Sequence, residues 1–307
     1  MKTKFSRAQI MKILSQRIKR GESIFVANAS AGMVAKYSEQ NGADIVSVNS
    51  WARFRYRGHP EPLPTLWWGG SNEMKDNVFD VHHEMANALD NVPLVAGLEA
   101  YDSLFRHTDE LLDKAMNIGY DGIQNFPSYG YYIPMRMLRD AAGFGFKREL
   151  EMIKLARERD IFTMAYAFWA DDAKEFVKRG ADVIIAHAGW VTGGSTGAPE
   201  PGTVDFDFKK EGFRGHPRDL DGTIQLAQEI ATAAREINPK QIVLITGGSL
   251  NSPENAQIII DKCDVDGFEV GHAIDAIPIE KELMRIGKEY KSLQLNPNNP
   301  NVNKKGV

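Results

Sequence analysis

Gly180-Ala181-Asp182-Val183-Ile184-Ile185-Ala186 reads as a joint: a glycine, one residue, an aspartate, then a short apolar run. A glycine suits the left-handed residue that ends a helix, and the chain beyond it drops into a strand. The same joint occurs as Gly42-Ala43-Asp44 before Ile45-Val46-Ser47-Val48, and as Gly119-Tyr120-Asp121 before Gly122-Ile123-Gln124. A looser copy is Asp264-Val265-Asp266-Gly267 before Phe268-Glu269-Val270. Recurrence of this kind argues for one supersecondary unit used many times.

Outward from these joints, residues 23–28, 92–97, 161–167 and 241–246 are further short runs rich in β-formers. They are continuously apolar, as strands covered on both faces are. Helical stretches alternate with them at 31–40, 77–89, 108–117, 148–159, 171–179, 221–237, 253–262 and 279–290. About eight βα units result, the number that closes an α/β (β/α)8 TIM barrel. An open doubly wound sheet would carry a glycine fingerprint after its first strand. Asn28-Ala29-Ser30-Ala31-Gly32 has none. The expectation is a single TIM-barrel domain over residues 1–292, with an N-terminal extra helix within 1–20 that covers the barrel bottom. Long loops follow strand two (50–76) and strand six (188–218), and 293–307 is a flexible, Asn- and Pro-rich tail.

The bulk numbers agree with this. A chain of 307 residues, 43% hydrophobic and 25% charged, can bury a sizeable core. A net charge of −4 leaves no basic footprint for nucleic acid or an acidic membrane surface. Cys263 is the single cysteine, so no internal disulfide can form, which fits a reducing compartment. The sequence has no apolar run of membrane-spanning length and no secretory pattern at its start, so the expected location is cytoplasmic.

In such a barrel, polar residues at the C-terminal ends of strands share one pocket. Strand two ends at Asn49-Ser50, and Arg53, Arg55 and Arg57 follow at alternate positions, suited to a carboxylate or phosphate. After strand three, Glu99 and Asp102 are candidates for acid–base work or a hard cation, with a helix N-cap as the other reading of Asp102. Strand four ends at Gln124-Asn125, of which one side chain should enter the pocket, since neighbours on a strand point to opposite faces. Tyr166 and Phe168, after strand five, read as pocket wall. His187 ends strand six as a proton shuttle, a metal ligand or a hydrogen-bonded structural histidine. Gly193-Gly194, Gly247-Gly248 and His272 complete the set, the glycines offering backbone amides to an anion. A strand-end lysine is absent, which argues against Schiff-base chemistry. His82-His83-Glu84 lies on a helix, where adjacent histidines point apart, so it reads as a solvated face.

Several of these segments together resemble the phosphoenolpyruvate hydrolase-like barrel family, which also forms the C-terminal domain of a plant tobamovirus-resistance protein. They are Asn49-Ser50 with Arg53-Phe54-Arg55, Val95-Ala96-Gly97, Gly122-Ile123-Gln124-Asn125-Phe126-Pro127, Thr192-Gly193-Gly194, Gly247-Gly248, Pro253-Glu254-Asn255-Ala256-Gln257 and Gly267-Phe268. The resemblance implies a barrel of the phosphoenolpyruvate/pyruvate-binding superfamily that acts on a small oxo acid or enol phosphate. It also implies a divalent metal such as Mg2+ held by paired acids, although no such pair stands at matching strand ends here. The chain departs from the pattern at Thr246-Gly247-Gly248-Ser249, where His-Gly-Gly-Pro is expected. It departs again at Asp275, where a glutamate is expected, and at Glu99, where a neutral residue is expected.

The functional expectation is therefore a lyase or hydrolase acting on a C–C or C–O bond of a small carboxylated or phosphorylated compound. Arg53 and Arg55 would neutralise the acid group and Glu99 or His187 would move the proton. Gln124 or Asn125 and the glycine amides would hold oxyanion charge. The other class is a non-catalytic ligand-binding or regulatory barrel, since fold alone never fixes function. A homo-oligomer is expected, with the Tyr129-Gly130-Tyr131-Tyr132 loop as a candidate interface.

Overall fold

The computed structural model describes residues 2–60, 63, 77–128, 130, 133–197, 219–299 and 301–302. Eight parallel strands close into a barrel in sequence order, β1-β2-β3-β4-β5-β6-β7-β8. They are β1 (Ile24–Asn28), β2 (Ile45–Val48), β3 (Leu94–Gly97), β4 (Gly122–Gln124), β5 (Phe162–Ala167), β6 (Val183–His187), β7 (Ile242–Thr246) and β8 (Gly267–Val270). Closure is made by β8 pairing back on β1, with Ile24 opposite Gly267. All eight strands lie where the apolar runs place them. The expected helices are α2 (Gly32–Gln40), α4 (Val78–Ala88), α5 (Thr108–Ile118), α7 (Phe146–Glu158), α8 (Ala170–Lys178), α9 (Leu220–Ile237), α10 (Pro253–Lys262) and α12 (Ile277–Ser292).

Three helices escaped the sequence reading: α3 (Ser50–Tyr56), α6 (Ile133–Ala141) and the single turn α11 (His272–Asp275). The first corrects the expectation of a loop directly after strand two. Asn49 caps α3 by accepting a hydrogen bond from the Ala52 backbone at 3.0 Å. Most of both long insertions, 61–62 with 64–76 and 198–218, lies outside the described residues, as do Tyr129, Tyr131 and Tyr132 of the aromatic loop.

The recurring joint has a physical job at the barrel floor. Gly42 (φ 88°), Gly119 (φ 123°) and Gly180 (φ 85°) take the positive-φ turn that ends a helix. The aspartate that precedes the next strand then satisfies a backbone N–H at the start of the strand before it, a donor that would otherwise be orphaned. Asp44 accepts from Phe25 at 2.9 Å, Asp121 from Leu94 at 2.9 Å, Asp182 from Thr163 at 3.1 Å and Asp266 from Val243 at 2.8 Å. These buried acids need cations, and the N-terminal segment supplies them: Lys2 pairs with Asp121, Arg7 with Asp182 at 2.7 Å and Arg17 with Asp44. Arg235 serves Asp266 at 2.9 Å. The helix α1 (Arg7–Lys19), capped by Ser6 and Gln9, buries Ile10 and Leu14 in the same apolar cluster as Ile24, Val26, Phe162, Val183 and Ile242 of the barrel interior. The floor is thereby plugged, as expected of residues 1–20. A second apolar layer, including Leu94, Ala96, Ile123, Ala165, Ile184, Val243 and Ile245, joins the outer face of the strands to the helices.

Candidate active site

Side chains that alternate along a strand face inward and outward by turns, so the inward residues near the C-terminal ends determine what the barrel mouth contains. There the structure has a narrow cavity of about 30 Å3, lined by Asn28, Asn49, Trp51, Arg55, Phe126, Tyr166, His187, Gly247, Glu269 and His272 among others. That volume holds a water molecule or two.

A continuous chain of hydrogen bonds crosses the base of this cavity. Glu269 of β8 is buried, and one of its oxygens accepts from the Ser47 hydroxyl at 2.6 Å while the other accepts from the Tyr166 hydroxyl at 2.7 Å. The Asn28 amide donates to the Ser47 hydroxyl at 2.9 Å, and Arg55 donates to the Asn28 amide oxygen at 2.9 Å. Arg55 is in turn paired with Asp275 of α11, through Nε at 3.0 Å and Nη2 at 3.1 Å. Burial pushes the Glu269 carboxyl above its ordinary value, against the lowering effect of Ser47, Tyr166, Gln124 and Arg55. Burial also raises the Tyr166 phenol, with the adjacent Glu269 adding to it. Asp275 is raised by burial too, with Arg55 opposing. Such raised acids, convergent on one cavity, mark a functional-site candidate.

The two histidines at the mouth are poised as neutral rings. His187 packs against Phe126, Phe168 and Tyr166 at centroid distances of 5.5, 4.7 and 5.4 Å, and its Nδ1 accepts from the Gly189 backbone at 3.0 Å. Burial lowers its pKa to about 3. His272 meets the Gly193 carbonyl through Nε2 at 3.2 Å, and burial followed by the Arg55 charge lowers it to about 4.

Of the residues expected from sequence, Asn49, Arg55, His187, Gly247 and His272 line the cavity. Gln124 stands beside them, near enough to act on Glu269 and Tyr166. Gly193 and Gly194 turn at φ 90° and 73° beside His272, which touches the Gly193 carbonyl. Gly248 lies next to the cavity with its amide donating to the Gly189 carbonyl at 3.3 Å.

Arg53, Glu99, Asp102 and Asn125 are not brought to that cavity. Alternate positions face one way on a strand but lie about 200° apart on a helix, so α3 sends Arg53 and Arg55 to different places. Arg53 donates to the Ser30 carbonyl, lies 3.7 Å from Glu84 and covers the Tyr56 ring. Glu99 is fully buried, 3.9 Å from Arg139. Asp102 caps a turn by accepting from the Leu104 backbone at 3.0 Å, while α5 starts later with His107 at its N-cap. Asn125 bridges β4 to β5, accepting from the Tyr166 backbone at 2.7 Å, and donates to buried Glu149, which also takes hydrogen bonds from Tyr101 and from Ser128 at 2.7 Å. Gln124 and Asn125 thus face opposite ways, as their adjacency on a strand requires. Within α4, His82 packs on Tyr120 and His83 meets Asn87, so these histidines do point apart.

Glu269 and Asn28 were missed. The signal for Glu269 was available: an acid between the apolar outward residues Phe268 and Val270 must face the barrel interior.

The sequence profile of the phosphoenolpyruvate hydrolase-like family matches residues 9–293, nearly the whole barrel. The chain belongs to that family. A curated relative, the ToMV susceptible protein tm-1(GCR26) of Solanum lycopersicum, is 31% identical over 291 residues, 94% of this chain. The chain spans about a third of that relative's length, 36%. Among solved structures, a phosphoenolpyruvate phosphomutase from Streptomyces platensis subsp. rosaceus aligns with a TM-score of 0.54 and 11% identity, covering 94% of this chain and 86% of its own. A phosphonopyruvate hydrolase solved with oxalate and Mg2+ gives 0.54 and 15%, covering 92% and 88%. At such identities the likeness is one of fold, and it agrees with the family's TIM barrel.

Among the described residues, no group of three or more His, Cys, Asp or Glu could hold a metal ion. The two acids in and beside the cavity wall fit Mg2+ poorly: both Glu269 oxygens already accept from Ser47 and Tyr166, and both Asp275 oxygens already accept from Arg55. Mg2+ demands near-ideal oxygen geometry, and the Arg55 cation that bonds both Asp275 oxygens already stands where a second cation would have to approach that acid. Among the same residues, no helix is long and apolar enough to cross a membrane.

Proposed function

We propose that the barrel mouth is the active site of a lyase or hydrolase that acts beside the carbonyl of a small oxo acid or enol phosphate. Family membership supports the class, and one observation of the structure carries the site: the Tyr166–Glu269 pair, buried together at 2.7 Å and flanked by Arg55. Arg55 provides a fork of donors that can trade Asp275 for a substrate carboxylate or phosphate. Tyr166, held protonated by burial, directs its one O–H at Glu269: it passes that proton to Glu269 as it takes one from the substrate, and hands one to the developing oxyanion when Glu269 returns it. His187 and His272, neutral at ordinary pH, wall the site without placing a second cation beside Arg55.

The assignment moves the proton-handling role from Glu99, which does not line the cavity, to Glu269. Glu269→Gln keeps the shape and one acceptor oxygen, the hydroxyl facing its amide nitrogen turning round to accept, but it cannot take a proton. Against a panel of small oxo acids, phosphonates and enol phosphates, we expect it to lower turnover by about 100-fold or more while circular dichroism stays that of the wild type. Arg55→Lys should raise KM chiefly, because a point charge replaces the fork. Undiminished turnover in Glu269→Gln would overturn the reading.

A regulatory, non-catalytic barrel is the second reading. The pairing of Arg55 with Asp275 favours it, because the mouth's cation is already neutralised. It requires ligand binding, seen as a thermal shift, with no product formed.

A further inference from the structure

The Tyr166 phenol donates to Glu269 inside the barrel. The Tyr166 backbone is held from elsewhere. On one side β6 pairs with it, Ile185 standing opposite. On the other side β4 stops too soon: its last residue, Gln124, stands opposite Met164. The ladder therefore leaves a backbone N–H and C=O at Tyr166 to be satisfied by something other than a strand.

The Asn125 side chain takes the place of the missing strand. Its oxygen accepts from the Tyr166 N–H at 2.7 Å and its nitrogen donates to the Tyr166 carbonyl at 3.3 Å, so one amide grips both polar groups of one residue. By shape alone that amide could lie either way round. Glu149 of α7 decides, because it also accepts from the Asn125 nitrogen. Turned over, the amide would set its NH2 against the Tyr166 N–H and its oxygen against a carboxyl oxygen. Glu149 is itself fixed by the Tyr101 hydroxyl and by the Ser128 hydroxyl at 2.7 Å. Asn125 and Glu149 are both buried, so water does not compete for these bonds. Burial, then the Asp172 charge, raises the Glu149 carboxyl. Ionised or protonated, it keeps an oxygen for Asn125, since the two hydroxyls can turn to accept its proton.

We infer that Asn125 and Glu149 are positioning residues, an outer clamp that sets where the Tyr166 hydroxyl stands relative to Glu269 and Arg55. Two buried glutamates then hold one tyrosine from opposite faces of the sheet. Glu269 meets its phenol within the barrel, and Glu149 acts on its backbone through Asn125 from the helix side. Neither clamp residue lines the mouth cavity, so their effect on turnover passes through Tyr166. A misplacement of about 1 Å in a reacting group can cost about 100-fold in rate. The inference rests on the reading of Tyr166 and Glu269 as the proton-handling pair.

The test follows Tyr166 directly in the full chain. Protein labelled with 13C in its nine tyrosine rings is compared by NMR with Tyr166→Phe, which identifies the Tyr166 signal. Asn125→Leu, close in size but without polar atoms, should move or broaden that signal. On whichever oxo acid or enol phosphate the wild type turns over, it should lower kcat by about 100-fold with KM within about twofold. Glu149→Leu should do the same more weakly, and it carries the comparison if Asn125→Leu does not fold. Glu149→Gln, which still offers Asn125 an oxygen, should keep the wild-type signal and rate. Asp44→Ala, which weakens the barrel floor, should lower stability and leave the Tyr166 signal and kcat unchanged. An unmoved signal with undiminished kcat in both leucine variants would overturn the clamp. So would Glu149→Gln as damaging as Glu149→Leu, or Asp44→Ala with the same effect on Tyr166. A wild type that turns over nothing sinks the active-site reading instead, and the Tyr166 signal alone then decides for or against the clamp.

Discussion

The two ends of the barrel are built by opposite rules. At the floor, one device is repeated: glycine turns the chain, aspartate two residues later caps the strand before it, and a cation from α1, the preceding N-terminal segment or Arg235 neutralises the acid. At the mouth nothing repeats. Glu269, Tyr166, Arg55, His187 and His272 come from four different βα units and meet in one narrow cavity. The floor's charges are compensated pair by pair, as stability requires. The mouth keeps raised acids and depressed bases side by side, which costs stability and is the usual mark of a site kept for chemistry.

That contrast can be broken experimentally. The largest effect is expected at the floor. Asp182→Ala leaves Arg7 with only the exposed Asp160 and the Thr163 backbone N–H without its partner, for about 3–5 kcal/mol of unfolding free energy. Urea melts should show it, and ligand-induced shifts at the mouth should be unchanged in the fraction still folded. Glycines sharpen the comparison further. At the mouth, Gly247 has φ 79° and an added Cβ would meet the Gly189 carbonyl oxygen at 2.1 Å, so Gly247→Ala should cost about 3 kcal/mol from strain plus collision. At the floor, Gly42 has φ 88° with nothing nearer than an Arg17 nitrogen at 3.9 Å, so Gly42→Ala should cost about 1 kcal/mol, the strain alone. Equal costs would mean that the mouth backbone is not as tightly fitted as its geometry indicates.

The remaining effect is in pH. An unfolded histidine takes up a proton near pH 6.5, about the reference value, whereas folded His187 does so only at about 3. The folded state therefore binds fewer protons as pH falls through this window, and stability is lost, by about 1.4 kcal/mol per unit for a fully coupled proton. His187→Gln removes this contribution. Melting midpoints of wild type and variant, compared between pH 7 and 4, should show the wild type falling more steeply. Parallel curves would mean that His187 titrates like a solvated ring.

How much of this was legible follows from the same contrast. The strands could be read because their burial on both faces forces continuous apolar runs, and the joints because a positive φ calls for glycine. The mouth could be read only in part. Arg53-Phe54-Arg55 alternates like a strand or loop, and nothing local announced that Asn49 caps a helix there, which separates the two arginines. Glu99 and Asp102 stand after a strand just as His187 ends one, yet their side chains meet Arg139 and a turn amide, a choice made by neighbours from α6 and from the loop itself. Of Gln124 and Asn125, either of which the sequence allows in the pocket, Asn125 is the one that turns away and braces β5 and Glu149. Glu269 lies inside a strand rather than at its end, so only its alternation with Phe268 and Val270 announced it.

The plug in the barrel floor also orders events in time. Lys2, Arg7 and Arg17 find their carboxylates at positions 121, 182 and 44. The opening segment of this sequence therefore docks on carboxylates 27, 119 and 175 residues away from its cations. Contacts this distant along the chain are slow to form. Of these three ties, Arg7 with Asp182 would then be the last knot drawn in refolding.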